Sequence, residues 1–480
     1  MADVRKLTPL EHTYTRLLAR RHTRSLLRRL TTLPPNTVDF SSNDYLSLST
    51  HPQLRAAFLS ILQSPFPPPP RSRSPSPSSS SSSSSSLSVS SSSSISTTSS
   101  APSLLGSRGS RLLDGNTPLA AHLETLIPHH HRAPAGILFN SGFEANVGVF
   151  ASLPQPGDVV IYDELIHASA HDGMRLSRVP PAHRRAFPHN SVRGLRRVLE
   201  DVVHGVEGVR EGKVSVFLGV EAVYSMDGDV APLREMLDLV EAMLPRGNGY
   251  VIVDEAHATG MFGELGRGLV CELGVEDRVF ARVVTFGKAL GAQGAIVLCT
   301  PTTRSYLINY ARTLIYTTAP SHPSLALIKA TYDLLLAGKT ESLLTHLHAL
   351  IRHSHTLLTA LIAALPAHAP ILSLSPLPKT TNPSPIIPLF TPHPRSLATY
   401  CQARGYMVRA IVAPTVPRGA ERVRVCLHAG NTFAEVEGLV KAVKGWAEGR
   451  VREEGEKRKE KEKSSGGGQA VRAVMAKARL

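Results

Sequence analysis

From Leu104 to about Ala311, short runs of apolar and β-branched residues alternate with stretches of helical spacing, and this alternation sets the architecture. Residues 136–139, 158–162, 214–220, 250–253, 283–286 and 295–298 read as strands, and intervening stretches such as 233–244 read as helices. Most of these strands are apolar at consecutive positions, so neither face can be left to water. Helices between successive strands supply the cover on both sides, which predicts an α/β fold with a mainly parallel sheet. Ligand groups in such sheets gather at the strand ends.

After Pro320 the spacing changes to long helical stretches at 325–337 and 343–365, then to strands near 384–390 and 422–427, as a smaller C-terminal α/β domain would require. At the other end, residues 9–30 carry leucines among arginines in an amphipathic pattern, followed by a short strand at 37–40 and a polar turn, Ser41-Ser42-Asn43-Asp44-Tyr45-Leu46. Residues 64–102 are proline-rich and then almost pure serine. With so little apolar surface to offset the entropy of ordering, they read as a disordered insertion. The resulting division is an N-terminal helix and arm (1–63), the insertion (64–102), a large domain (103–319), a small domain (320–448) and a charged, glycine-containing flexible tail (449–480).

The formal net charge of +15 collects at the two ends. No recognition motif or basic–aromatic alternation accompanies it, so nucleic acid is not an expected partner. A basic surface does suit anionic substrates. No apolar run approaches the roughly 18 residues of a membrane span. Asp3, Glu11 and the scarcity of serine argue against reading the arginine-rich start as an organellar presequence. The four cysteines are widely separated, without metal-ligand spacing, which predicts reduced and mostly buried thiols in an intracellular protein.

The chemistry centres on Lys288, which stands between Gly287 and Gly291 where an apolar strand stops. Upstream, a second buried-strand pattern ends in Asp254-Glu255-Ala256-His257. A lysine that can hold an aldehyde as a Schiff base, with a carboxylate that keeps a pyridine nitrogen protonated, is the pairing that pyridoxal phosphate needs. Asn140-Ser141-Gly142-Phe143 opens a helix after a strand, where small residues let backbone N–H groups and the positive helix end meet a phosphate. Thr285 is of the right type to bond the same phosphate. His167 and Ser225 also follow strands. Arg422 and Arg424 share one side of a late strand. If that side lines the cleft, Arg424 would pair with an amino-acid carboxylate; otherwise it is a surface charge.

These segments, together with His167-Ala168-Ser169, Tyr224-Ser225-Met226-Asp227-Gly228-Asp229, Thr285-Phe286-Gly287-Lys288 and Pro414-Thr415-Val416-Pro417, resemble the α-oxoamine synthases, a subgroup of the fold-type-I pyridoxal-phosphate enzymes. The resemblance runs from about Phe40 to Ala447. It implies that Lys288 anchors the cofactor and then acts as base, that Asp254 partners the ring nitrogen, that His257 bonds the phenolic oxygen, and that His167 stacks on the ring. It places Gly142, Phe143 and Thr285 at the phosphate and Ser225 close to the cofactor. It further implies a homodimer with shared sites, Thr317 and Thr318 reaching the neighbouring subunit's phosphate. On the substrate side it implies Arg424 at the carboxylate, with Asn43, Thr415 and Arg28.

The implied reaction is a decarboxylating condensation of an amino acid with an acyl-coenzyme A. Phe286 in the lysine motif and Ser110 in the glycine-rich Gly106-Ser107-Arg108-Gly109-Ser110-Arg111 segment resemble the branch that joins L-alanine to pimeloyl-coenzyme A in biotin synthesis. Other branches use glycine with succinyl or acetyl thioesters, or serine with long acyl chains, and a non-catalytic binding subunit is the alternative of a different class. The final Ala478-Arg479-Leu480 resembles a peroxisomal address, with the cytoplasm as the alternative location.

Overall fold

The computed structural model describes residues 7–24, 26–63, 105–366, 370–377 and 382–477, from 458 onward in backbone only. The serine-rich stretch expected as an insertion and the final tripeptide lie outside the described residues.

A first short strand, β1 (Val38–Asp39), precedes a sheet of seven: β2 (Ala135–Phe139), β3 (Val159–Asp163), β4 (Arg184–Phe187), β5 (Val216–Glu221), β6 (Gly249–Asp254), β7 (Ala281–Thr285) and β8 (Ala295–Cys299). Their order across the sheet is β2-β8-β7-β6-β5-β3-β4. Only β8 runs against its neighbours; the rest are parallel. Every residue of β5, β7 and β8 is buried, as uninterrupted apolar runs between two helical layers require. The strand β4 was not among the expected strands. Its Arg-Arg-Ala-Phe is mostly polar, and it lies at the sheet edge where only Phe187 is buried.

This topology brings the carboxyl ends of β2, β5, β6 and β7 to one side. Glu221 and Asp254 are direct partners across β5 and β6, and Asp254 is opposite Val283 of β7. The small domain is a four-stranded antiparallel sheet of β9 (Ser373–Leu374), β10 (Ile386–Phe390), β12 (Arg409–Ile411) and β13 (Arg422–Cys426), in the order β12-β13-β10-β9, while β11 (Tyr406–Met407) pairs with β1. One apolar core continues between the domains, from Val159 and Val253 to Ile387, Val423 and Trp446.

The segment after β1 is held from two sides. The Cys426 N–H donates to the Phe40 carbonyl at 2.8 Å, and the Ala429 N–H to the Tyr45 carbonyl at 2.7 Å. On the other side Gly291 takes a positive φ of 60°, and a Cβ there would stand 2.7 Å from the Ser49 nitrogen. Only glycine permits this approach. The polar turn 41–46 is thereby fixed between the small domain and the loop that carries Lys288.

The helical limits differ from expectation at both ends. The N-terminal helix spans Pro9–Thr23, shorter than the leucine pattern to residue 30 suggested, starts with a Thr8–Glu11 capping box and buries no residue. With nothing to pack against, the later leucines do not extend it. The tail from 449, expected to be flexible, continues the final helix Phe433–Lys477 in its backbone. Its Glu- and Lys-containing residues 453–457 include good helix formers.

Candidate active site

Strand ends and two loops converge on Lys288. Burial pushes its amine down to about 8, against the opposing pull of Asp254, and the positive charge of Arg424 adds to the lowering. Asp254, at the end of β6, is buried and acceptor-bonded on both oxygens. The Asn146 Nδ2 donates to its Oδ2 at 2.7 Å and the Ala256 N–H to its Oδ1 at 2.9 Å. Asn146 comes from the helix Gly142–Ser152, so the helix proposed for the phosphate also orients the carboxylate.

His257 is buried three residues beyond Asp254, its Nδ1 2.7 Å from the Tyr45 hydroxyl. Burial lowers its proton affinity well below the usual imidazole range, and the charges of Lys288, Arg424 and His167 act in the same direction, so the ring is neutral. His167 caps the helix Ala168–Leu176 by accepting from the Ser169 N–H on its Nδ1 at 3.3 Å, and the same nitrogen is 2.7 Å from the Ser169 Oγ. Burial lowers its proton affinity against the pull of Asp254, and Lys288 lowers it further.

The sequence-derived phosphate residues also meet. Ser141 caps its helix by accepting from the Glu144 N–H at 3.1 Å. A Cβ on Gly142 would lie 3.2 Å from the Thr285 Oγ1, so β2 and β7 bring these two residues face to face. Phe143 is exposed beside them, and Ser225 is half-buried in the loop after β5. Asn140 donates to the Thr317 Oγ1 at 3.1 Å and to the Thr318 carbonyl at 2.8 Å, which ties that segment to the start of the same helix.

On the substrate side the structure excludes the surface-charge reading of Arg424. It is buried, and its Nη2 donates to the Asn43 Oδ1 at 2.8 Å and to the Tyr45 hydroxyl at 3.3 Å. Its Nε is buried without a partner among the described residues, a donor suited to an incoming carboxylate. Its neighbour Arg422 is spent on Asp227 and lies over the Phe390 ring. Thr415 is exposed, following a cis Ala413–Pro414 bond. Arg28 is exposed in the irregular segment beyond the N-terminal helix and has no hydrogen bond or ion pair among the described residues, so the structure does not bring it to the cluster.

Three further residues belong to the site without a role assigned from sequence: Asn146, Tyr45 and Glu221. Glu221 is buried at the end of β5, and burial, then Asp254, hold its proton affinity well above the carboxylate range. A lone Glu closing an apolar strand one strand away from Asp254 was the available signal. Among the described residues no group of His, Cys, Asp and Glu has the arrangement of a metal site, and no helix is long and apolar enough to cross a membrane. All four cysteines are buried and unpaired.

The residues present fit pyridoxal phosphate: a lysine of lowered proton affinity, a hydrogen-bonded aspartate, a glycine–threonine cradle at a helix start, and a free guanidinium nitrogen where an amino acid would dock. Fold and site together define a fold-type-I pyridoxal-phosphate-dependent enzyme, and the relatives that follow make it an acyltransferase. The chain belongs to the family described as Aminotransferase class I and II, which matches residues 35–443. It is 52% identical over 431 residues to the 8-amino-7-oxononanoate synthase of Emericella nidulans, covering 89% of this chain and 94% of that protein. It is 35% identical to the aminoacyl transferase sphA of Byssochlamys spectabilis, over 88% of this chain and 84% of the relative. Among solved structures, a serine palmitoyltransferase of S. paucimobilis superposes with a TM-score of 0.71 at 20% identity, covering 93% of this chain and 99% of that one. An 8-amino-7-oxononanoate synthase of Francisella tularensis gives 0.62 at 23%, over 87% and 98%. At such identities the two superpositions concern the fold alone.

Proposed function

We propose that this chain condenses L-alanine with pimeloyl-coenzyme A, releasing coenzyme A and carbon dioxide and leaving 8-amino-7-oxononanoate for biotin synthesis. The observation that carries the reading is its near-full-length, half-identical relationship to a synthase of that name. Bound pyridoxal phosphate would supply the electron sink for a carbanion at the amino acid's α-carbon. Asp254 would keep the ring nitrogen protonated, its two oxygens already aimed by Asn146 and the Ala256 N–H. Lys288 would anchor the cofactor and, once released, accept the α-proton. A proton affinity lowered to about 8 leaves a fraction of the amine free near neutrality. Arg424 would receive the alanine carboxylate on its open Nε, with Nη2 held by Asn43. Thr415 and Arg28 would contact substrate outside the buried cluster.

The reading includes a homodimer in which Thr317 and Thr318 serve the neighbour's phosphate, and a peroxisomal location addressed by Ala478-Arg479-Leu480 with the cytoplasm as the alternative. The decisive assay is coenzyme A release with alanine, glycine and serine, each crossed against pimeloyl, succinyl, acetyl and palmitoyl thioesters. Alanine with pimeloyl-coenzyme A should give the highest kcat/KM; a higher value for glycine with succinyl, or serine with palmitoyl, overturns the assignment. A wild-type protein that stays colourless after incubation with pyridoxal phosphate would point to the non-catalytic subunit instead.

A further inference from the structure

We propose that Tyr45 is a positioning residue that fixes His257 as the tautomer protonated on Nε2 and couples it to Arg424, joining the cofactor side of the site to the substrate side. Tyr45 is fully buried, and its hydroxyl touches three groups: the His257 Nδ1 at 2.7 Å, the Asn43 Oδ1 at 3.1 Å and the Arg424 Nη2 at 3.3 Å. The inference rests on the cofactor assignment and is independent of which amino acid and thioester react.

The donors and acceptors can be counted. Arg424 only donates, so it takes one lone pair of the Tyr45 oxygen. The hydroxyl has a single proton, to be given either to Asn43 or to His257. Asn43 Oδ1 already accepts from Arg424 at 2.8 Å, whereas His257 Nδ1 has no other partner among the described residues. The neutral imidazole of His257 has one proton to place. On Nδ1 it would make a weakly acidic N–H donate to the second lone pair of the Tyr45 oxygen and turn the hydroxyl proton to the longer Asn43 contact, at 3.1 Å. On Nε2 it leaves Nδ1 as acceptor for a phenol, a much stronger acid and better donor, in line with the shorter of the two hydroxyl contacts. The hydrogen bond on one ring nitrogen decides which form the other presents. His257 thus offers an N–H donor on Nε2, the form that an acceptor oxygen on the cofactor ring requires.

The chain Arg424–Tyr45–His257 has a second consequence. A carboxylate that draws the Arg424 guanidinium alters its donation to Tyr45, and the effect reaches His257 through one shared oxygen. Tyr45→Phe keeps the ring and the packing while removing the link. The test is a two-by-two cycle of Tyr45→Phe and His257→Asn, read as the equilibrium dissociation constant of pyridoxal phosphate from the cofactor-free protein, with the shape of the visible cofactor band as a second readout. Tyr45→Phe alone should weaken cofactor binding about tenfold, the scale of one buried hydrogen bond, and change the band. In the His257→Asn background the same substitution should change binding less than about twofold, because the path it acts through is gone. Equal factors in both backgrounds with an unchanged band would mean that Tyr45 only fills space, and would overturn the proposal. Should Tyr45→Phe not fold, the wild-type protein still answers. With histidine labelled in 15N and His257→Asn identifying its signals, a proton on Nε2 is expected, and a proton on Nδ1 refutes the assignment.

Discussion

His189 is the sharpest test of the electrostatics around the cofactor loop. Its Nδ1 is 2.9 Å from Asp163 and its Nε2 2.7 Å from Asp229, so one imidazole bridges two carboxylates below the loop that carries Ser225 and Asp227. Burial alone would lower its proton affinity, but the bonds and charges of Asp163 and Asp229 outweigh it and raise the ring from 6.5 to about 10. A shift of that size corresponds to a ceiling of roughly 5 kcal/mol at about 1.4 kcal/mol per unit. The Asp229 side chain is 38% accessible, and solvent screening there reduces the contribution to about 2 kcal/mol. Asp163 also keeps the Leu165 and Asn190 N–H donors, which soften the loss further. The folded-state value lies above the unfolded one. The stabilisation is therefore fully present below about 6.5 and disappears as pH rises through about 10. His189→Gln keeps a donor and removes the charge. Urea unfolding of the cofactor-free proteins should show a deficit of about 2 kcal/mol near pH 6 that shrinks towards zero near pH 10. A deficit that stays constant across this range would refute the bridged imidazolium.

Other expectations follow from the same contacts. Gly142→Ala puts a methyl 3.2 Å from the Thr285 Oγ1 and narrows the cradle; pyridoxal phosphate affinity should fall about tenfold or more, while the affinity for pyridoxal, which lacks the phosphate, should be unchanged in a parallel titration. The rate at which cofactor-free protein captures pyridoxal phosphate should rise with pH with a midpoint near 8, that of Lys288. Arg424→Gln removes a charge that helps lower this value and should move the midpoint upward. Because burial and Asp254 keep Glu221 protonated, Glu221→Gln should leave cofactor affinity within about threefold, within the scatter expected for one neutral hydrogen bond; a larger loss would show that the carboxylate form is needed.

Much of the large domain was legible from sequence because its strands are short, apolar and buried on both faces, and because Asp254 and His257, or Thr285 and Lys288, are neighbours in the chain. The contacts that complete the site are of another kind. Tyr45 meets His257 across 212 positions and Arg424 meets Asn43 across 381. No local pattern announces such a pairing, which is why Arg424 read equally well as a surface charge until the turn 41–46 was seen clamped against β13. The edge strand β4 escaped for the opposite reason: an edge needs little apolar surface, so its arginines hide it.

Phe286 shows what a family signature does and does not carry. It stands two residues before Lys288, yet it is fully buried in the core, its ring edge-on to Tyr332 at 5.9 Å and packed with Leu290 and Ile328. Its resemblance to the biotin branch is therefore a statement about how the lysine loop is packed, without any contact to substrate. On the proposed function, Lys288, Asp254 and His257 would act on the cofactor and the amino acid's α-carbon, which carry no information about the acyl chain. Discrimination between a pimeloyl and a succinyl or palmitoyl chain would then come from other positions, and of the residues proposed for substrate these are exposed Thr415, half-buried Asn43 and exposed Arg28. Substitutions at Thr415 and Arg28 should accordingly change KM for the thioester while leaving the cofactor band intact, whereas substitutions in the buried cluster should change the band itself.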